Sequence, residues 1–402
     1  MRIVLCTESY LPILNGVVTF LQMLSKEWTK DGHEVLIIAP DHTARRNYIK
    51  DGVLHCPAVK SEQLTVDVSL PLDVARFRMV KRFKPDIIHI QHEYGVSLFG
   101  MKTAELLHIP VVYTLHSEYS FFMNYVVKSK LMVPIVESSL AKLIKYIVKR
   151  ATVVTSPSRK AKVYFDSIGV DTDVTVIQNS VDLDDFDPFL YTDGQKQALR
   201  ETLGIGAGET CVLFVGRMGP EKSVDVLLDY WAQTIKPEDR LHLVLIGGGP
   251  DDDSLRQHMR DLHLESMVTF CGRIPHVQIA PYYAICDLYI TASLSEMHSV
   301  SMLEGLGAGL PVLQRYDRLN AEQLQEGVNG YFFNNAQEMG DLIHKLGSQT
   351  PQQKLETKRR VRESVLHTNN PKALADKYMG QYIKAIDLYV RHKAPPLDDP
   401  LL

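Results

Sequence analysis

Two nucleotide-binding fingerprints are missing from this chain. It has no GxGxxG turn, which argues against NAD or FAD, and no GxxxxGK[ST] loop, which argues against an ATPase of the P-loop type. Cysteine is sparse: Cys6, Cys56, Cys211, Cys271 and Cys286 are odd in number and scattered, with no CxxC or Cys/His zinc spacing. That usage points to a reducing compartment and no structural metal. No stretch approaches about 18 uninterrupted apolar residues, and the opening MRIVLCTESY lacks the basic region and apolar run of a signal peptide. The expectation is a cytoplasmic protein whose membrane contact is peripheral. Short repeats and low-complexity blocks are also missing.

What is present is an ordinary soluble composition, 45% hydrophobic and 23% charged with a net charge of -4. At 402 residues the chain exceeds what one core usually supports, so two domains are expected. Charge is unevenly shared. Residues 1–180 carry 22 Lys and Arg against 17 Asp and Glu, a net of +5, whereas residues 181–402 carry 22 against 31, a net of -9. The basic excess gathers at Arg76, Arg78, Lys81, Arg82 and Lys84, and again at Lys128, Lys130, Lys142, Lys145, Lys149 and Arg150. An anionic partner is expected at the first half; nucleic acid is not among the partners predicted.

Apolar runs of strand length alternate with amphipathic helical stretches from Arg2 to about Gln178, and again from Cys211 to Phe333. Such alternation predicts an α/β chain of two tandem Rossmann-like domains, each a parallel sheet covered by helices, with ligands at the strands' carboxyl ends and in a cleft between the domains. The acidic, Pro-containing stretch Asn179–Asp193 reads as the interdomain linker. We therefore divide the chain into residues 1–185, residues 186–370, a returning helix over residues 371–393 and a flexible tail at 394–402.

Three βα junctions carry candidate chemistry. TASLSEMHSVSMLEGLGAGLPV reads as a strand, a polar turn with Glu296 and His298, and a helix that starts near Ser299 and Val300, carries Glu304 and stops at Gly309-Leu310-Pro311. The free N–H groups of that helix start suit a phosphate. In VGRMGPEKSVDVLL, Arg217 and Lys222 flank a Gly-Pro turn before a helix, where cations disfavour the helix but would hold a diphosphate. At the first junction, TESYLPILNGVVTF, Gly16 can bring backbone N–H close to an anion. His116 ends the strand VVYTLH, where it can donate or accept a hydrogen bond at neutral pH, and His92 ends another. Asp-x-Asp patterns at Asp171–Asp173, Asp182–Asp184 and Asp251–Asp253 raise a metal-diphosphate site, but all lie in acid-rich loops. Metal ligands are assigned to none of them, and Mg2+ is required by no motif.

Residues 128–150, KSKLMVPIVESSLAKLIKYIVKR, combine an apolar stripe at Leu140, Leu143, Ile144, Ile147 and Val148 with Lys and Arg around it. Two readings stand: a helix lying on an anionic bilayer, each near-surface cation adding roughly 1 kcal/mol, or a domain helix packed on the sheet.

Together these motifs resemble the retaining GT-B glycosyltransferases of the family 4 type. The resemblance spans nearly the whole chain: NGVVT after the first strand, the His after a central strand, VIQNSVD for the usual VIPNGVD, GRMGPEKS for GRLxxEKG, LIGGGP, and Glu296 and Glu304 with seven residues between them. It implies that Arg217 and Lys222 hold a donor diphosphate, Glu304 the ribose hydroxyls and Glu296 the transferred sugar. Gly16 would approach the phosphates and His116 the sugar or leaving group. Ser299 stands where the family usually has Gly, its N–H still expected to be available, His298 is placed to contact sugar or phosphate, and Ser223 replaces a common Gly. HSEYSFFMNY after His116 is similar to the corresponding region of diacylglycerol glucosyltransferases of Gram-positive bacteria. The implied activity is transfer of a hexose, glucose foremost, from a UDP-sugar to diacylglycerol at the inner face of the cell membrane, with no tightly bound cofactor. Extension of a glycolipid or a cell-wall or capsule saccharide is the alternative, and a catalytically silent accessory subunit is the reading from another class.

Overall fold

The computed structural model describes residues 1–11, 13, 15–61, 66–117, 119 and 133–393. Two compact units form, one from Met1–Asn179 together with the chain from Pro371 on, the other from Ser180–Asn370. The first unit's sheet holds β1 (Arg2–Cys6), β2 (Glu34–Asp41), β3 (Tyr48–Lys50), β4 (Val53–Ser61), β5 (Val66–Ser69), β6 (Ile87–Ile90), β7 (Val111–Thr114), β8 (Val153–Ser156) and β9 (Thr175–Val176). Their order is β3-β4-β2-β1-β6-β7-β8-β9, with β5 against β4. The central pairs are parallel, as the buried apolar runs predict. β3 and β5 are antiparallel additions that the hydrophobic pattern did not announce. β3 is three residues long and wholly exposed, and it turns into β4 through Asp51 and Gly52, both at positive φ (50° and 76°), as a two-residue hairpin turn requires.

The helix Gly16–Lys30 buries Phe20, Leu21, Leu24 and Trp28 on this sheet at the expected spacing. The helix Pro371–Lys393 packs beside it through Leu374, Ala375, Tyr378 and Tyr382. Trp28 Nε1–H donates to the Ala375 carbonyl at 3.1 Å, so the chain's last helix belongs to the first unit's core.

The second unit holds β10 (Thr210–Val215), β11 (Leu241–Ile246), β12 (Val268–Gly272), β13 (Leu288–Thr291), β14 (Val312–Arg315) and β15 (Gly330–Phe333), ordered β12-β11-β10-β13-β14-β15 and parallel throughout. Along β10, Cys211 and Leu213 face one core and Val212 and Phe214 the other, the period of two that buries both sheet faces. The stretch expected as a linker is part of this unit: Val181, Leu183 and Phe186 lie in its core and Arg362 pairs with Asp187 at 3.2 Å. Alternation of apolar residues with Asp in VDLDDF lets it lie half-buried rather than free.

Chain order reverses direction at β1/β6 in the first sheet and at β10/β13 in the second. Open parallel sheets bind ligands at the carboxyl ends beside such reversals, and the candidate residues converge there in both units.

Candidate active site

In the second unit, the loop after β10 is fixed by backbone contact with the glycine run after β11. A Cβ on Gly247 would lie 1.8 Å from the Gly216 carbonyl oxygen, and one on Gly249 2.1 Å from that of Met218, so only glycine permits the approach. Met218 N–H donates to Gly248 O at 3.3 Å, and Asp251 N–H to Met218 O at 3.0 Å. The Glu221 carbonyl accepts the hydroxyls of Ser293 and Ser295 at 3.0 and 2.7 Å, which ties this loop to the one after β13. The buried Glu221 carboxylate lies 3.1 Å from Arg217 Nε. Lys222 Nζ donates to Glu296 Oε1 at 2.5 Å, both side chains largely covered at 22% and 14% exposure. Each cation that the sequence placed at this helix start is thus matched with a carboxylate. Ser223, the residue standing for a common Gly, takes φ +50°.

Ser299 caps the helix Val300–Gly307, its hydroxyl accepting from Met302 N–H at 3.4 Å. Its own N–H is not available to a ligand, contrary to expectation. It donates to Gln323 Oε1 at 2.9 Å, while Gln323 Nε2 donates to Ser299 O at 2.7 Å. The next two N–H groups, of Val300 and Ser301, have no protein acceptor among the described residues. His298 is buried, and burial pushes its pKa down to about 4, so it is neutral near pH 7 and offers a phosphate no charge. Glu304, also buried, accepts from His276 Nε2 on one carboxylate oxygen and from Tyr283 Oη on the other, both at 2.7 Å. The hydrogen bond to Glu304 raises the His276 pKa against the desolvation that lowers it.

In the first unit, Gly16 is the exposed first residue of its helix, and Asn15 caps that helix by accepting from Val18 N–H at 3.0 Å. His116 lies just beyond β7 with Nε2 2.6 Å from Gln91 Oε1 and its ring edge-on to Phe20 at 5.1 Å. Burial first, then His92 and His89, hold its pKa well below the ordinary value. It is therefore a neutral imidazole. His92 Nδ1 accepts from Glu8 N–H at 3.2 Å, and His89 is sealed between Tyr382 and Thr114. Two carboxyls at the same strand ends are also buried, though no local sequence pattern marks them. Glu8 accepts from Ser97 N–H at 2.9 Å and is raised by burial to about 8. Glu93 accepts from the Tyr113 and Tyr119 hydroxyls and is raised by burial to about 7.

Comparison with known proteins places both units. Residues 14–185 match Glycosyltransferase Family 4 and residues 195–364 match Glycosyl transferases group 1. The chain is 30% identical over 351 residues, 86% of its length and 88% of the relative's, to an alpha-monoglucosyldiacylglycerol synthase of Acholeplasma laidlawii. It belongs to the GT-B glycosyltransferases of the family 4 type. A second alpha-monoglucosyldiacylglycerol synthase, from Streptococcus pneumoniae, is 31% identical over 320 residues, 78% of this chain and 70% of that one. The crystal structure of Anabaena HepE in complex with UDP and glucose shares the fold, with a TM-score of 0.73 at 19% identity over 96% of this chain and 100% of that one. This family 4 chain is accordingly a transferase enzyme with two Rossmann-like α/β domains.

The transferase's basic segments separate into buried and exposed cations. Arg76, counted in the basic excess expected to meet an anionic partner, is buried: its guanidinium donates to Ser69 Oγ, Leu70 O and Asn47 Oδ1 and lies over the Phe99 ring. Arg78, Lys81, Arg82 and Lys84 remain exposed. Beside them Leu70, Leu72 and Val74 are 73%, 71% and 67% exposed. In the helix Val133–Val148, Ile144, Ile147 and Val148 of the stripe are buried in the unit and Leu140 and Leu143 are half-buried, whereas Lys142 and, just past the helix, Lys149 and Arg150 are exposed and Lys145 is half-buried. Lys128, Lys130 and the tail 394–402 lie outside the described residues. No helix among the described residues is long and apolar enough to cross a membrane, and no group of three or more His, Cys, Asp or Glu among them converges as metal ligands.

Proposed function

We propose that this glycosyltransferase moves glucose from UDP-glucose to diacylglycerol at an anionic membrane surface, with retention at the anomeric carbon. The observation that carries the donor side is the cluster at the β10/β13 reversal: Lys222 on Glu296 at 2.5 Å, Arg217 beside them in the same loop, and the unengaged N–H groups of Val300 and Ser301. The acceptor reading is supported by the two diacylglycerol-directed relatives at about 30% identity.

In this mechanism Arg217 and Lys222 bind the diphosphate, Val300 and Ser301 N–H add helix-start donors, Glu304 accepts the ribose hydroxyls and Glu296 orients the transferred sugar. The anomeric C–O bond breaks as negative charge grows on the leaving UDP. Cations and N–H groups already in place stabilise that charge more in the transition state than in the ground state. The acceptor hydroxyl forms the new bond on the face that UDP leaves, and its proton passes to a leaving phosphate oxygen. As the family resemblance implies, we assign His116, a neutral imidazole, to the sugar and Gly16 N–H to the phosphates. Exposed Leu70, Leu72 and Val74 beside Arg78, Lys81 and Arg82, and the cations Lys142, Lys149 and Arg150, would face the bilayer.

Melting temperature across UDP-glucose, UDP-galactose and GDP-mannose tests the donor. A nucleotide sugar at about 100 times its Kd adds roughly 2.7 kcal/mol of stability, and UDP-glucose is expected to give the largest rise. Stabilisation by GDP-mannose alone would replace the donor. Flotation with vesicles tests the surface: binding to anionic but not neutral lipid, weakened by salt, is expected, and no vesicle binding would move the acceptor into solution.

A further inference from the structure

Glu304 is held in a way that neither the family motif nor the sequence pattern indicates. A carboxylate offers about four lone-pair directions, and here one on each oxygen is filled, by His276 Nε2 and Tyr283 Oη at 2.7 Å each. Phe186 braces both donors, its ring 5.9 Å from that of His276 and 5.3 Å from Tyr283, nearly perpendicular to the latter. Tyr283 and Phe186 are buried, and the Glu304 side chain is 4% exposed, whereas His276 is 35% exposed. The open edge of the assembly is therefore the imidazole. The titratable groups facing it are Glu304 and Asp185, both acidic.

We propose that His276 is a positioning residue of the nucleotide site, fixing one oxygen of Glu304 so that its remaining lone pair meets a vicinal diol of the ligand. The inference rests on the reading of Glu304 as the acceptor of a nucleoside diphosphate's ribose hydroxyls. It goes further in stating what makes that carboxylate selective. Without His276 only the Tyr283 hydroxyl still holds the carboxylate, through the other oxygen, so the direction of the oxygen that His276 fixed is no longer set and the preference for two adjacent hydroxyls weakens.

The test compares UDP with 2′,3′-dideoxy-UDP by calorimetry on the full chain, in the wild type, His276→Ala, His276→Gln and Glu304→Gln. The wild type is expected to prefer UDP by about 10-fold or more. His276→Ala should shrink that preference to about 2-fold by weakening UDP binding, leaving dideoxy-UDP unchanged, and His276→Gln, whose amide N–H can still donate, should restore it. With the sugar donor, KM should rise in His276→Ala while kcat moves little. If the wild type and His276→Ala discriminate equally while Glu304→Gln does not, His276 has no positioning role. If His276→Gln fails as badly as His276→Ala with the fold intact by circular dichroism, the hydrogen bond is not the agent. If the wild type itself binds both nucleotides equally, Glu304 does not read the ribose, and the site reading falls with the inference.

Discussion

Replacing Lys222 by Met keeps the aliphatic stem and removes the ammonium that lies 2.5 Å from Glu296. In the free protein the loss breaks a pair that is mostly covered but still touches water. Exposed pairs contribute about 0–1 kcal/mol, and hydrogen bonds to charged groups about 1.5–3 kcal/mol. With residual exposures of 22% and 14%, the stability loss should be about 1–2 kcal/mol. In the proposed function the same ammonium serves the diphosphate. Losing one charge-assisted hydrogen bond worth about 1.5–3 kcal/mol weakens UDP by roughly 10- to 100-fold. Glu296→Gln is the control with the opposite sign: it also breaks the ion pair but leaves the cation, so UDP, which carries no sugar for Glu296 to hold, should bind as well as before or more tightly. Calorimetry of UDP at fixed ionic strength reads both variants, and urea denaturation reads their stability. Equal weakening in the two variants would mean that the pair acts through folding alone, and unaltered UDP affinity in Lys222→Met would remove Lys222 from the site.

Further outcomes follow from other contacts. Glu8 and Glu93, raised by burial to about 8 and about 7 from an ordinary 4.5, hold protons that the unfolded chain has lost. Their contribution to stability is therefore full below about pH 4.5 and lost as pH rises through 7 and 8, and Glu8→Gln should flatten urea stability measured between pH 5 and 9. An unchanged slope would mean Glu8 is ionised in the folded protein. Gln323→Val strands the N–H of Ser299 and removes one of two donors to its carbonyl, which keeps the Leu303 N–H, and should lower stability by about 1–3 kcal/mol. A urea midpoint within error of wild type would refute that. Ending the chain at Asn370 removes Leu374, Tyr378 and Tyr382 from the first unit's core, roughly 6 kcal/mol at about 2 kcal/mol each. The first unit should then be unfolded by hydrogen exchange, and retained protection in its central strands would contradict the packing described.

The parallel strands and their order of appearance were legible because a strand buried on both faces must be a continuous apolar run, as IIHI at Ile87–Ile90 is. The exposed edge strand Tyr48–Lys50 carries no such run, although the Asp51-Gly52 turn beside it is a hairpin signal. Burial of charge was the harder matter. Glu8, Glu93 and Arg76 belong to residue types that rarely enter a core, and each does so here by finding donors or acceptors remote in sequence, such as Glu8 with Ser97 and Arg76 with Asn47. At the candidate donor site, the two acids and two cations were readable from spacing within single βα junctions. His276 and Gln323 were not, since each meets its partner across 28 and 24 residues and through side chains that no local period marks.

Transfer is the most direct measurement. Incubated with UDP-[14C]glucose and vesicles containing diacylglycerol and anionic lipid, the enzyme should form a labelled glucosyl-diacylglycerol with an α-configured anomeric proton by NMR, and Glu296→Ala should abolish it. Label appearing only on a water-soluble acceptor or on a preformed glycolipid would contradict diacylglycerol as the acceptor, and a β-linked product would contradict retention.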